Sequence, residues 1–288
     1  MSDAGPMRVE PAGADALRRR LARLKAVPTL PKQLEAVARA LEDADVNFES
    51  IAELIEVDQA LTSQTLRLAN SAFYGTQGKV GRVSQALVVL GAIVTRSLVL
   101  SSAVFDVENV SLRGFWEHSL GCAVAAGALA KVTGLAQPEE ATAAGLLHDL
   151  GKVVLLKELP DVFERLLARA AAEGLPFRRC ERELLGVDHT DVAFWLVEHW
   201  GFPACLAEPI HHHHAPAHAA AAPNETAIVH VADALVRALG YGFGGDPLVP
   251  PIDAAAWARL RLSPAALDRV LDVFEADLDQ ALNFALFE

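Results

Sequence analysis

His148 and Asp149 stand side by side in residues 143–156, a run whose other members are apolar except for Lys152. Burying an ionisable side chain is costly unless that side chain is paired or bound to a metal. The two residues therefore indicate either metal coordination or a tightly hydrogen-bonded polar group in the protein interior.

The same half of the chain carries more residues of the kinds that ligate transition metals: His118, His189, Asp233 and four consecutive histidines at 211–214. Each lies in or beside a predicted helix, and all-α proteins build mononuclear and binuclear sites from side chains that converge in a bundle core. Mixed nitrogen and oxygen ligands suit Mn, Fe, Ni or Zn better than calcium. A bridging carboxylate would allow two ions about 3.5–4 Å apart.

Each of these residues also has a purely structural explanation when it is taken alone. His118 or His189 could be a hydrogen-bonded histidine between helices, and Asp233 could cap a helix or pair on the surface. We expect His218 and His230 to be residues of this kind that bind no metal.

Apolar periodicity predicts the elements that must position such a site. One helical face is formed by Leu17, Leu21 and Leu24, and another by Leu267, Val270, Leu271, Phe274 and Leu278. Ser263 followed by Pro264 predicts a helix start. No strand pattern competes, so the sequence predicts an all-α chain of many short helices. The periodicity lapses at residues 106–114, where we place a domain boundary.

The composition narrows the class of protein. With 288 residues, 52% of them apolar, the chain can bury a large core. The 25 Lys and Arg against 37 Asp and Glu give a net charge of -12, which argues against direct nucleic-acid binding.

Cys122, Cys180 and Cys205 are too far apart for a disulfide framework or a zinc ribbon, which fits a reducing compartment. No export signal or membrane span is predicted, so we expect a cytoplasmic protein.

Two glycine-bearing loops, residues 75–81 and 241–247, interrupt the helical pattern. No Gly-Lys-Ser/Thr sequence follows either loop and no strand precedes it, so neither resembles a phosphate cradle. We expect both loops to be ordinary connections.

The order of the candidate ligands, His118, His148 with Asp149, His189, a histidine pair and Asp233, resembles that of the HD phosphohydrolase superfamily. Residues 145–152, Gly-Leu-Leu-His-Asp-Leu-Gly-Lys, resemble its signature. The resemblance implies that Lys152 faces a substrate phosphate, and a charged residue at a helix end is the alternative. The spacing from Ile210 is similar to the family pattern that selects His213 and His214 over His211 and His212.

The first half is similar to the HDOD family, the HD-related output domain of bacterial signalling proteins. The matching motifs are residues 28–31, 55–61, 66–75 and 86–91, and the resemblance runs from about residue 27 to about residue 240. It implies two packed helical subdomains, 27–110 and an HD-like 111–288 with C-terminal helices, preceded by an N-terminal helical extension, 1–26. Asp58-Gln59 and Ala193 depart from the family pattern in ways that we expect to be harmless.

Residues 215–220, Ala-Pro-Ala-His-Ala-Ala, stand where related HD-GYP phosphodiesterases have an acidic residue and a Gly-Tyr-Pro element. The HDOD resemblance therefore implies a signalling module that acts through protein partners, with a divalent metal site and no robust catalysis. The alternative is a metal-dependent phosphohydrolase for a nucleotide messenger or other phosphoester, in which Asp149 and Lys152 would be catalytic. Nucleotide binding without hydrolysis lies between the two.

Overall fold

The computed structural model describes residues 37, 40, 47–57, 59–71, 74–76, 80–102 and 113–285. These residues form helices and no strand, so the predicted all-α class is confirmed. The stripe of Leu17, Leu21 and Leu24, the extension 1–26 and most of the 106–114 boundary lie outside the described residues.

The N-terminal half contains α1 Phe48–Ile55, α2 Gln59–Ala69 and α3 Val83–Ser102. Asn47 begins α1 because its side-chain oxygen accepts hydrogen bonds from the backbone N–H groups of Glu49 and Ser50. Helix α3 is bent at Gly91, whose φ of 76° is unfavourable for any residue with a side chain.

The segment after α2 is fixed by Asn70. The Asn70 amide donates to the carbonyl of Val80 at 2.8 Å, and its oxygen accepts from the N–H of Val80 at 3.0 Å. The Thr76 hydroxyl donates to the carbonyl of Ala69 at 2.7 Å. Asn70 therefore connects the end of α2 to the approach to α3.

The C-terminal half contains the remaining elements: α4 Arg113–Thr133, α5 Pro138–Leu147, α6 Leu150–Glu158, α7 Pro160–Glu173, α8 Phe177–Leu185, α9 His189–His199, α10 Ala204–His212, a 3₁₀-helix Pro216–His218, α11 Pro223–Ala238, α12 Ala254–Leu260 and α13 Pro264–Ala285. Proline opens several of these helices, where its missing N–H leaves no helical hydrogen bond unmade. Ser263 caps α13 as predicted, because its hydroxyl accepts from the N–H of Ala266.

Small residues bring α4 and α5 into close contact. A Cβ atom added to Gly145 of α5 would lie 2.5 Å from the carbonyl oxygen of Cys122 in α4, so only glycine permits this approach. Helix α3 of the first half also packs on α5, and buried apolar residues of both halves form one continuous core. Helix α4 thereby places its inward face at the centre of the C-terminal half.

The predicted apolar stripe of the last helix packs inward in part. Val270 and Phe274 of α13 are buried, and Leu267 and Leu271 are partly buried. Among the described helices, none combines the length and the apolar character needed to cross a membrane.

Candidate metal centre

The seven predicted metal-ligating residues lie together in the C-terminal half. They come from five places in the sequence: His118 in α4, His148 and Asp149 between α5 and α6, His189 at the start of α9, His213 and His214 after α10, and Asp233 in α11. Six of them are no more than 3% exposed, and His214 is partly buried.

The turn between α5 and α6 sets the centre of the cluster. Asp149 has φ -98° and ψ 11°, which breaks the helical path directly after His148. Gly151 then allows α9 to approach, because a Cβ atom at this position would lie 1.9 Å from the carbonyl oxygen of His189. The glycine of the His-Asp-Leu-Gly-Lys motif therefore brings His189 next to Asp149.

The two carboxylate oxygens of Asp149 face two different sets of imidazoles. Its Oδ2 lies 3.5 Å from His118 Nε2 and 3.4 Å from His148 Nε2. Its Oδ1 lies 3.3 Å from His189 Nε2 and 3.9 Å from His213 Nε2. Asp149 therefore occupies the position of a carboxylate shared by two ligand sets.

The first ligand set is completed by Asp233, and the second by His214. Asp233 Oδ1 lies 3.2 Å from His118 Nε2, and His214 Nε2 lies 3.1 Å from His189 Nε2. We name the first set, His118, His148 and Asp233, the α4 subsite, and the second set, His189, His213 and His214, the histidine subsite.

Hydrogen bonds outside the cluster orient three of its histidines. The Nδ1 atom of His148 lies 2.7 Å from the carbonyl oxygen of Gly145, that of His213 lies 3.1 Å from the carbonyl oxygen of Ile210, and that of His189 lies 2.6 Å from Glu181 Oε2. A proton on each Nδ1 satisfies these acceptors and leaves the Nε2 lone pair for the cluster. Metal-ligating histidines are held in this way in proteins.

Several buried polar atoms of the cluster lack a hydrogen-bond partner. Among the described residues, His148 Nε2, His213 Nε2 and Asp149 Oδ1 make no hydrogen bond despite their burial. Unsatisfied buried acceptors are destabilising, and a cation shared between them removes that cost. These donor atoms therefore fit one or two divalent ions.

The pKa values of the histidines move in the direction that metal binding requires. Burial lowers the pKa of His148, and it lowers the pKa of His213 and of His214 well below the ordinary value. These imidazoles are therefore neutral at pH 7, and the neutral form is the one that ligates a metal.

The two aspartates stay ionised although they are buried. Burial alone would raise the pKa of Asp149, but the Lys152 ammonium beside it opposes burial, and the pKa falls well below its usual value. For Asp233, burial is outweighed chiefly by the hydrogen bond with His118, and the pKa is lowered. Both carboxylates are consequently available as ligands.

Lys152 lies inside the cluster. Its Nζ donates to Asp149 Oδ2 at 2.6 Å and to the carbonyl oxygen of Gly244 at 2.8 Å, and the residue is 3% exposed. Gly244 belongs to loop 241–247, which we expected to be an ordinary connection. In the structure this loop also covers the cluster, since a Cβ atom on Gly244 would lie 3.5 Å from His118 Nε2.

The other histidines of the region lie outside the cluster. His211 stacks on Phe194 at 4.1 Å between ring centroids, and it stacks on His212 at 4.3 Å. Both ring nitrogens of His230 are used, because Nδ1 donates to the carbonyl of His213 and Nε2 accepts from the N–H of Asp253. His218 is exposed. The structure therefore places His213 and His214 at the cluster and His211 and His212 outside it.

Two residues of the cluster were not predicted from the sequence. Cys122 Sγ lies 3.7 Å from His118 Nε2, and it forms with His118, His148 and Asp233 a group whose ligand atoms are all within 4.8 Å of one another. Burial, together with Asp233 and Asp149, raises the pKa of the Cys122 thiol well above its usual value. Glu181, the partner of His189, is fully buried.

The sequence profile of the HDOD domain matches residues 27–216, which is about two thirds of the chain. The chain therefore belongs to the HDOD domain family, as the resemblance of its motifs predicted. A curated relative, an uncharacterized protein of Treponema pallidum (strain Nichols), is 29% identical over 201 residues. The alignment covers 68% of this chain and 39% of the relative, so the chain spans about two fifths of the relative's length.

Solved structures share the fold. An HDOD domain protein of unknown function from Geobacter sulfurreducens superimposes with a TM-score of 0.64 and 26% identity, over 93% of this chain and 94% of that one. A Marinobacter aquaeolei VT8 protein, named as a candidate in signal transduction, has a TM-score of 0.67 and 21% identity, over 93% of this chain and 65% of that one. A Shewanella amazonensis SB2B protein, named as a candidate metal-dependent phosphohydrolase, has a TM-score of 0.60 and 20% identity, over 91% of this chain and 96% of that one.

Proposed function

We propose that this protein is a cytoplasmic signalling module that acts through contacts with a partner protein and holds divalent metal without robust catalysis. The observation that supports the proposal best is the closure of the cluster. His118, His148, Asp149, His213 and Asp233 are buried, loop 241–247 lies over them, and the Lys152 ammonium is held on Asp149. Within the described residues, this burial disfavours a direct approach of a phosphoester to the ligand atoms.

The proposed metal ligands are the α4 subsite, the histidine subsite and the shared Asp149. Side chains of this kind suit Fe, Mn, Ni or Zn. A bound ion would supply a structural link between α4, α6, α9 and α11, together with Lewis acidity. Without the ion, the same helices must hold several unsatisfied lone pairs in the core.

The N-terminal half is the proposed surface for the partner. Its helices α1 and α3 expose Leu54, Val88 and Ile93, and Val57 directly after α1 is 83% exposed. Helices α1 and α3 pack on each other, and exposed apolar side chains favour protein contacts. Membership of the HDOD family and the name of the Marinobacter neighbour fit a signalling context.

A metal-dependent phosphohydrolase is the second candidate, and one observation favours it. The two oxygens of Asp149 face separate ligand sets, which is the arrangement of a binuclear hydrolytic centre. In that case Asp149 and Lys152 would be catalytic, and the substrate would be a nucleotide messenger or another phosphoester.

The test is metal analysis followed by a hydrolysis assay. Protein purified without a histidine tag is analysed for bound Fe, Mn, Ni and Zn by plasma mass spectrometry. It is then incubated with cyclic dinucleotides and with bis(p-nitrophenyl) phosphate, with Mn or Fe added under reducing conditions. We expect bound metal and no turnover. Asp149→Asn should lose the metal, and His218→Asn, which changes an exposed histidine outside the cluster, should keep it.

Two results would contradict the proposal in different ways. Hydrolysis that Asp149→Asn abolishes and His218→Asn preserves would replace it with the phosphohydrolase. Absence of bound metal from the wild-type protein, even after incubation with each ion, would remove the metal from both candidates.

A further inference from the structure

We infer that Cys122 is a thiolate ligand of the α4 subsite, which gives that subsite one cysteine, two histidines and one aspartate in addition to the shared Asp149. The inference rests on the proposed function, because it assumes that the cluster binds metal. It goes further in assigning a soft ligand to one subsite and none to the other.

The position of Cys122 on α4 supports its assignment as a ligand. Cys122 lies one helical turn after His118, and residues four apart share a helix face. Its sulfur lies 3.7 Å from His118 Nε2. Two ligands held about 2.1–2.3 Å from one tetrahedral ion are themselves about 3.5 Å apart. The observed separation thus fits two ligands of the same ion.

The side chains around the sulfur atom of Cys122 also support this assignment. A buried cysteine in an ordinary core packs against apolar side chains. Cys122 packs in the apolar core and also belongs to a group with His118, His148 and Asp233 in which every ligand atom is within 4.8 Å of every other. Within the same subsite, His148 Nε2 is buried and has no hydrogen-bond partner among the described residues.

The backbone around Cys122 is also held next to the helix that leads to His148. A Cβ atom added to Gly145 would lie only 2.5 Å from the carbonyl oxygen of Cys122, so the two backbones are in close contact. Gly145 in turn accepts the hydrogen bond from His148 Nδ1. The distance between Cys122 and His148 is therefore fixed by backbone packing.

The chemical consequence is a difference between the two subsites. Thiolate ligands favour zinc over manganese or magnesium. The histidine subsite contains no sulfur. We therefore expect zinc to bind more tightly at the α4 subsite than at the histidine subsite.

The test uses cobalt as a spectroscopic substitute for zinc in the full chain. Cobalt is added to metal-free protein, and absorption is recorded in the visible range, which reports coordination, and in the near ultraviolet, which reports thiolate-to-cobalt charge transfer. We expect the charge-transfer band in the wild-type protein and its loss in Cys122→Ser. Cys180→Ser changes another buried cysteine, in α8, and should retain the band. Zinc affinity should fall at least about tenfold in Cys122→Ser only.

Zinc-edge X-ray absorption of the wild-type protein gives a second measurement that needs no variant, so it applies even if Cys122→Ser does not fold. A sulfur ligand at about 2.3 Å is expected. Visible cobalt bands without charge transfer, and a zinc shell of nitrogen and oxygen alone, would overturn the role of Cys122 and leave the metal centre intact. Failure of the wild-type protein to bind either metal would overturn both the inference and the proposed function.

Discussion

Asn70 in the N-terminal half and the clustered side chains of the C-terminal half are satisfied differently, although Gln64 of the N-terminal half also has a buried amide without a hydrogen-bond partner among the described residues. In the N-terminal half, Asn70 satisfies both ends of its amide with the backbone of Val80. In the C-terminal half, His148 Nε2, His213 Nε2 and Asp149 Oδ1 are buried together without hydrogen bonds among the described residues. A polar group that the backbone satisfies fixes a turn, whereas neighbouring lone pairs without donors need a cation. The contrast distinguishes a scaffold residue from a ligand.

Replacing Asp149 by alanine should have the largest effect on this contrast. The substitution leaves the Lys152 ammonium buried without its carboxylate, and removing one partner of a buried ion pair costs about 3–5 kcal/mol. We expect the free energy of unfolding in urea, measured with a chelator present, to fall by about that amount. Without the chelator, bound metal should fall to background.

A double variant tests the reason for that loss. Asp149→Ala combined with Lys152→Met removes the uncompensated charge, so it should recover part of the stability. A double variant as unstable as the single one would show that Lys152 is not the source of the cost. Metal retained by Asp149→Ala would remove Asp149 from the ligand set.

Acidification should weaken the C-terminal half through its histidines. The pKa values of His148, His213 and His214 are lowered in the folded protein, chiefly by burial. As the pH falls below about 6.5, the unfolded chain takes up protons that the folded protein does not, so unfolding is favoured. The free energy of unfolding of chelator-treated protein should therefore be lower at pH 5.5 than at pH 7.5.

A variant of one of these histidines identifies the source of the pH effect. His214→Gln removes one of the three imidazoles and should reduce the loss of stability between the two pH values. His214 is the natural choice because it is only partly buried, so its replacement disturbs the core least. Stability that is unchanged or higher at pH 5.5 would mean that these histidines are not held neutral by the fold.

Glu181→Gln should reduce metal affinity at the histidine subsite. The Glu181 carboxylate accepts from His189 Nδ1 at 2.6 Å and so orients the ligand nitrogen on the other side of the ring. Loss of such a partner typically lowers metal affinity about 10- to 100-fold. Competition with a chromophoric chelator measures the change. Glu183→Gln, on the same helix but at the surface, is the matched control and should leave the affinity unchanged.

The residues that the sequence identified are ionisable side chains that local neighbours satisfy only in part, since Lys152 bonds Asp149 Oδ2 and leaves Oδ1 without a hydrogen bond among the described residues. His148 and Asp149 stand in an apolar run, so a partner had to come from elsewhere in the chain. The all-α class could be predicted for a similar reason, because helical periodicity is local. His118, His189 and Asp233 were predicted as ligands because their order along the chain resembles that of the HD superfamily. The structure brings them together around Asp149.

The residues that the sequence did not identify depend on the packing of helices. Glu181 precedes His189 by eight residues and meets it only because α8 ends at Gly186, with φ 77°, and α9 begins at the Asp188 cap. Cys122 did carry a signal, its spacing of four residues from His118. That spacing was not decisive because the same pattern occurs in any buried helix face.

Asn70→Ala gives the smallest expected effect and tests the N-terminal side of the comparison. The variant loses two hydrogen bonds to Val80, each with a net contribution of about 0.5–1.5 kcal/mol, so the free energy of unfolding in urea should fall by about 1–3 kcal/mol. Bound metal should not change, because Asn70 holds the segment between α2 and α3 and ligates nothing. Asn70→Asp keeps the acceptor for the N–H of Val80 but places a carboxylate oxygen against the carbonyl oxygen of Val80, so its loss should be at least as large. If Asn70→Ala released metal, the two halves would be energetically coupled, and the separation of scaffold from metal centre would be wrong.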